Sequence, residues 1–270
     1  MMNLILTFIV GIIEGITEWL PISSTGHMIL FNEFFPLDFE KDFYDLFLVV
    51  IQLGAIMAVV MIYWNKLFPF SLKKGESFIK KDIFSLWIKI IVSCLPAAVI
   101  GILFEDTFDR LFYNATSVAL ALIVFGVLFI LVEIFNKKVP KINSIAEIGI
   151  NTAVIIGVFQ VLAAVFPGVS RSGATILGAI LIGVTRTVAA EYTFYLAVPV
   201  MAGASLLKLL KFGFDFTALE FTYLVVGMLT AFVVSVFAIK FLIGYVKKHD
   251  FKVFGVYRII LGILVLLLLK

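Results

Sequence analysis

Apolar residues run almost without interruption along this chain, and the places where they stop divide it. Continuous runs of about 20 residues, the length a hydrocarbon core requires, predict membrane-crossing helices at about 43–63, 83–104, 115–135, 190–210, 219–244 and 253–269. The short alternating segments of a membrane β-barrel are absent, so the class is an all-α polytopic membrane protein. Two further runs are broken. Residues 4–20 end at Pro21, and the next apolar piece, 28–35, stops at Pro36. Eight residues rise about 12 Å as a helix, far short of the ~30 Å core. The pattern predicts a re-entrant pair: a helix descends to about residue 20, the chain turns through Pro21-Ile-Ser-Ser-Thr-Gly26, and a short helix climbs back. A second pair is predicted by apolar 148–166, Pro167-Gly168, the polar turn Ser170-Arg171-Ser172-Gly173 and a short climb through about 183. Non-helical backbone at membrane depth is tolerated only where protein or a wet cavity satisfies it.

The two broken runs correspond. At a constant offset of 146, Gly11 meets Gly157, Glu14 meets Gln160, Pro21 meets Pro167 and Ser24 meets Ser170. Three crossings lie between the pairs, an odd number, which makes the second half inverted relative to the first. The expectation is one integral membrane domain, an inverted-topology repeat of six transmembrane helices and two re-entrant helix pairs, with halves at about 1–140 and 147–270. Broken segments in matching positions of two halves point to an intramembrane site. Segments assigned to the inner side hold twelve basic residues, among them Lys66, Lys73, Lys74, Lys80, Lys81, Lys137, Lys138 and Lys141, against five on the outer side. That bias predicts an outside N-terminus. Pro199 is expected to kink its crossing.

Composition agrees with the pattern. Hydrophobic residues make up 63% of the 270, charged residues only 14%, and mean hydropathy is +1.17; soluble chains carry about 25% charge. A net charge of +3 gives no reason to expect nucleic acid. No Lys or Arg precedes Lys41, so the first run lacks the basic head of a secretory signal and is expected to stay in the mature protein. The single cysteine, Cys94, excludes an internal disulfide and a cysteine metal site, and is read as a packing residue.

Charged groups inside such a chain are expensive and mark function by default. Glu14 and Glu18 are four apart, on one helical face, and Gly11 and Gly15 form a Gly-x-x-x-Gly that would let another helix approach. The carboxylates could serve merely as hydrogen-bonding glue between helices. Arg171 stands in the second break among Ser170, Ser172, Gly173 and Thr175, at the start of a short helix; an N-terminus with free N–H groups and a guanidinium reads as an anion cradle. The bland alternative pairs Arg171 with Glu14 or Glu18. In the first break, Ser23, Ser24 and Thr25 precede His27, setting a hydroxyl three residues from an imidazole, as nucleophile and base require; helix capping by Ser23 or Ser24 is the competing role. Two carboxylates, one guanidinium and a neutral histidine sum to −1, so a phosphate-bearing substrate calls for a protonated carboxylate or a divalent cation. Hard oxygen ligands favour Mg²⁺ or Ca²⁺, held by Glu14 or Glu18. Glu133, Glu191, Lys89 and Lys240 are read as interfacial or snorkelling charges, with Gln52 and Glu191 also candidates to line the cavity, and His249 as a solvated loop residue.

Glu14-x-x-x-Glu18 running into Pro21-Ile-Ser-Ser-Thr-Gly-His27, together with Pro167-Gly-Val-Ser-Arg-Ser-Gly-Ala-Thr175, resembles the bacterial undecaprenyl-diphosphate phosphatases, also called bacitracin-resistance proteins. The likeness extends over essentially the whole chain, including Val49-Val-Ile-Gln-Leu-Gly54 and Ala190-Glu-Tyr-Thr-Phe194. It implies a multi-pass protein of the bacterial plasma (inner) membrane. The implied reaction hydrolyses the terminal phosphate of a C55 isoprenoid diphosphate, recycling a lipid carrier of cell-wall synthesis and conferring bacitracin resistance. It also implies a site toward the outer face and allows a homodimer. Residue by residue, it implies Glu14 and Glu18 as essential carboxylates, Ser24 as nucleophile, His27 as base or acid and Arg171 as phosphate anchor. Attack by metal-bound water, with Ser24 only hydrogen-bonding phosphate, is the other path. A lipid-phosphate or anion transporter, or flippase, is the alternative function, because inverted repeats with broken helices are also transporter architecture.

Overall fold

The computed structural model describes residues 1–71, 77–136 and 139–269. Lys73, Lys74, Lys137, Lys138 and Lys270, which enter the charge bias, lie outside the described residues. Regular structure is helical: α1 (Met2–Thr17), α2 (Ser24–Phe34), α3 (Lys41–Ile62), α4 (Trp64–Leu67), α5 (Lys81–Phe112), α6 (Ala115–Phe135), α7 (Ile150–Val165), α8 (Arg171–Leu181), α9 (Arg186–Phe212), α10 (Ala218–Val246) and α11 (Lys252–Leu268). Among the described residues, strand-like pairing is confined to two isolated bridges, Phe70 with Ile79 and Ile142 with Val184.

Among the described residues, five helices are long and apolar enough to cross a membrane: α3, α5 over Lys81–Phe104, α6, α9 and α10. They coincide with five of the six predicted crossings, and α6 does so at both ends. The sixth, α11, is a 17-residue helix. Large apolar side chains face outward all round the bundle, Leu103, Phe135, Phe237 and Leu267 each more than 60% exposed. Water would penalise so much apolar surface, whereas lipid does not. The chain is a multi-pass, all-helical membrane protein.

In lipid, helices associate through close packing and hydrogen bonds rather than through the hydrophobic effect. Helix α1 lies on α10, α7 lies on α5, α3 packs against α9 and α10, and α6 pairs with α11. The Gly-x-x-x-Gly expectation holds: a Cβ on Gly11 or Gly15 would come within 2.8 Å of the carbonyl oxygens of Gly227 or Ala231 on α10. Gly157 seats α7 on α5 in the same way, 2.4 Å from the Ser93 oxygen. The helix before each break is thus clamped by small residues to a long helix of the other half. Helices α5 and α9 run on through Pro96 and Pro199. Behind the breaks, fully buried Trp19 packs edge-on against Phe194 of α9, centroids 5.4 Å apart.

Candidate active site

The two breaks are built alike. Ser23 and Ser170 have φ of 72° and 71°, the only positive values outside glycine among the described residues. Each caps an 11-residue helix, α2 or α8, its hydroxyl accepting from the Gly26 N–H at 3.4 Å or the Gly173 N–H at 3.1 Å. This corrects the constant offset: Ser23, not Ser24, corresponds to Ser170. Between proline and serine the first turn has Ile22 alone, while the second has Gly168 and Val169, and Gly168 takes the added residue at φ 94°. A side chain there would meet the Val118 carbonyl oxygen at 2.6 Å. The first residues of the two short helices are therefore Ser24 and Arg171.

Both reach Glu18, which closes the last turn of α1 with its N–H on the Glu14 oxygen. Ser24 Oγ donates to Glu18 Oε2 at 3.0 Å, and Arg171 Nη2 donates to Glu18 Oε1 at 3.0 Å. The ion pair is largely shielded, with side chains 12% and 8% exposed. A second Arg171 arm, Nη1, donates to the Thr193 carbonyl at 2.8 Å, and Nε has no partner among the described residues. One carboxylate thus holds a hydroxyl with one oxygen and a guanidinium with the other. The pairing of Arg171 with a glutamate, set out above as the bland reading, is present as the Arg171–Glu18 ion pair.

Glu18, Ser23, Ser24, Thr25, Ser170 and Arg171 line a cavity of about 530 Å³ whose other walls come from α3, α5, α7 and α9. Gln52 lines it as expected, and so does Cys94, read as a packing residue. Its lining does not include Glu14, His27, Ser172, Gly173 or Thr175. Ser172 Oγ donates to the backbone oxygens of Glu18 at 3.2 Å and Leu20 at 3.3 Å, tying the second turn to the first. Thr175 Oγ1 donates to the Arg171 oxygen at 2.9 Å and pairs with Thr193 Oγ1 at 2.8 Å. These residues brace the turn that carries Arg171. Glu14 is 2% exposed, and its Oε1 has no partner among the described residues.

His27 faces away from Ser24. Nδ1–H donates to the Ser23 carbonyl at 2.7 Å, so Nε2 accepts from the Tyr257 hydroxyl at 2.7 Å, and the two rings stack. Glu18, not His27, sits within hydrogen-bond reach of the Ser24 proton. Glu191 is likewise elsewhere: it pairs with Lys66 at 2.7 Å and accepts from Tyr195, outside the cavity. Glu133 forms an ion pair with Arg186. His249 is exposed, against Tyr245.

Sequence reasoning passed over Arg258. It is fully buried on α11, with Nη1 donating to the Pro21 oxygen at 3.3 Å and Nη2 to the Gly168 oxygen at 2.9 Å. One guanidinium therefore spans both turns. The signal was present: Tyr257-Arg258 stands inside an otherwise apolar run. Counting Arg258, the site's formal charge is zero rather than −1.

Residues 7–264 match the family described as Bacitracin resistance protein BacA. Undecaprenyl-diphosphatase 1 of Clostridium acetobutylicum is 65% identical over 257 residues, 95% of this chain and 93% of that protein. Undecaprenyl-diphosphatase of Acetivibrio thermocellus is 61% identical over 268 residues, 99% and 98% of the two chains. That of Enterococcus faecalis is 61% identical over 260 residues, 96% and 94%.

Proposed function

The chain belongs to the bacitracin resistance protein BacA family, and from that premise we propose how it works as an undecaprenyl-diphosphatase. It is a membrane phosphatase that converts undecaprenyl diphosphate to undecaprenyl phosphate and inorganic phosphate. We place it in the bacterial plasma membrane, returning the lipid carrier to cell-wall synthesis, with its N-terminus outside and the cavity open to the outer face. In this reading α11 is the sixth crossing, its 17 residues spanning about 25 Å. The pairs α1–α2 and α7–α8 are re-entrant, and the second half is inverted.

The observation that carries the mechanism is the sharing of Glu18 between Ser24 and Arg171. On substrate binding Arg171 turns from Glu18 to an oxygen of the terminal phosphate, where its fork neutralises charge. Glu18, released from that pair, takes the Ser24 proton. Ser24 Oγ attacks the terminal phosphorus, the bond from phosphorus to the bridging oxygen breaks, and undecaprenyl phosphate leaves with that oxygen. Water then cleaves the phosphoserine. Its oxygen goes to phosphorus, its hydrogens stay on inorganic phosphate, and Glu18 returns the proton to Oγ. His27 and Tyr257 hold the first turn, and Arg258 holds both.

A divalent cation fits this donor set. Glu14 Oε1 is buried without a partner among the described residues, one helical turn from Glu18, and Mg²⁺ sites commonly combine one or two carboxylates with substrate phosphates. Glu14 and Glu18 would hold Mg²⁺ or Ca²⁺, which supplies positive charge to the phosphate oxygens when bound. With Arg258 counted, the cation answers the charge of the substrate rather than an excess of carboxylate.

The test is phosphate release from a long-chain polyprenyl diphosphate by detergent-purified protein, with and without chelator. Release should fall on chelation and be abolished in Ser24→Ala and Arg171→Ala. If Ser24→Ala kept most of the turnover, the direct attack of water would replace the serine path. A folded, metal-replete protein that released no phosphate would turn the reading to lipid transport.

A further inference from the structure

Gln160 sits on α7 seven residues before Pro167, as Glu14 sits on α1 seven residues before Pro21. It is 2% exposed, and among the described residues the hydrogen-bonding group that meets its amide is the Cys94 thiol. A thiol is a weak donor and a weak acceptor. Burying a primary amide against one weak thiol partner, with most of its hydrogen-bonding capacity unused, is costly. Other buried polar atoms lack partners among the described residues, the Thr7 hydroxyl and Trp19 Nε1 among them, but neither of those residues lines the cavity. Gln160 does, together with Glu18, Ser24 and Arg171.

Arg171 carries a second unused donor into the same wall, its Nε. Arg171 Nε–H and the amide N–H of Gln160 not taken up by the Cys94 sulfur, one cationic and one neutral, suit an anion with several oxygens. We infer that Gln160 is a further substrate-binding residue, donating Nε2–H to an oxygen of the diphosphate group. The first half presents an acid at this register, where the reaction handles protons and positive charge. The second half presents an amide, where it handles phosphate. This inference rests on the phosphatase reading for the identity of the anion, and on the burial and weakly partnered amide for the contact.

The test uses the full-length protein in detergent with a non-hydrolysable polyprenyl methylenediphosphonate as the probe. Its dissociation constant is measured for wild type, Gln160→Leu and Gln160→Glu, beside the thermal midpoint of each without ligand and KM and kcat for the hydrolysable lipid. Gln160→Leu should weaken binding about tenfold or more, equivalent to about 1.4 kcal/mol. It should raise KM more than it lowers kcat, and leave the ligand-free midpoint unchanged or higher, because a weakly partnered amide has become apolar. Gln160→Glu should bind more weakly still, by charge repulsion. Wild-type affinity in Gln160→Leu would overturn the inference, as would a lowered midpoint with affinity retained, the mark of a packing role. Gln160→Glu binding as tightly as wild type with Mg²⁺ present would also overturn it, by making residue 160 a cation ligand. A protein that bound the diphosphonate through Gln160 yet released no phosphate would refute the phosphatase reading and support the contact.

Discussion

In both broken segments a proline is followed within three residues by a serine at φ near 70°, whose hydroxyl caps an 11-residue helix through the N–H three positions on. Beyond that shared backbone the side chains diverge. The first short helix begins with Ser24 and carries His27; the second begins with Arg171 and has Ala174 at the position of His27. On the helices before them, Glu14 faces Gln160 in the alignment and Glu18 faces Ala164. The lesson is a division of labour on a duplicated device. In the proposed mechanism the capped helix N-terminus of each half offers N–H groups to an anion. There the first half adds acid and nucleophile, and the second adds the fixed positive charge and a neutral donor. Glu18 is where the halves meet, and Arg258 fixes the distance between them.

The harshest way to break that division is to make the two helix starts alike. Arg171→Ser should lower kcat for phosphate release by on the order of 10³–10⁵, the range for removing an arginine from phosphoryl transfer, while the protein stays monodisperse in detergent. A loss under tenfold would mean that the second half does not supply the charge. Arg258→Met should come next, since it strands the carbonyls of Pro21 and Gly168 at about 1–3 kcal/mol each. Its thermal midpoint and its kcat should fall together, with Arg258→Lys in between; a variant as stable and active as wild type would dismiss the tie between turns.

A smaller effect separates Glu18 from His27 as proton acceptor. Tyr257→Phe deletes only the hydroxyl on His27 Nε2, a bond worth about 0.5–1.5 kcal/mol, and kcat should drop less than roughly tenfold. A loss of the 10²–10⁴ order typical of removing a general base would return that role to the imidazole. The smallest change tests the backbone equivalence itself. Ser23→Gly and Ser170→Gly relieve positive-φ strain of about 1–3 kcal/mol and give up only a few tenths of capping energy. Both should raise the thermal midpoint by similar amounts. Opposite signs would show that the two turns are not the same device.

Much of this was legible in the chain because hydropathy and proline act locally. Pro21 and Pro167 announced the breaks, and the apolar runs located the long helices to within a few residues, α5 excepted, which continues to Phe112 beyond its apolar stretch. Glu14, Glu18 and Arg171 stood out because charge is rare in such a sequence. What escaped was long-range or hidden by a register shift. The partners of Arg258 are 237 and 90 residues away, so nothing near it in sequence declared its role. The one-residue insertion at Gly168 disguised Ser24 as the counterpart of Ser170, when its counterpart is Arg171. His27 stands three residues from Ser24 in sequence, yet its two nitrogens meet the Ser23 carbonyl and Tyr257, contacts that spacing alone does not announce.

The central claim, that the first half supplies a serine nucleophile primed by Glu18 while the second holds the phosphate, can be read in a single trapping experiment. Protein is mixed with polyprenyl diphosphate labelled at the terminal phosphate, quenched in acid within one turnover, digested and mapped by mass spectrometry. The account predicts label on the peptide containing Ser24, absent in Ser24→Ala and strongly reduced in Glu18→Gln. Rapid release of labelled phosphate with no label on Ser24 at any time point, and with Ser24→Ala still turning over, would contradict it.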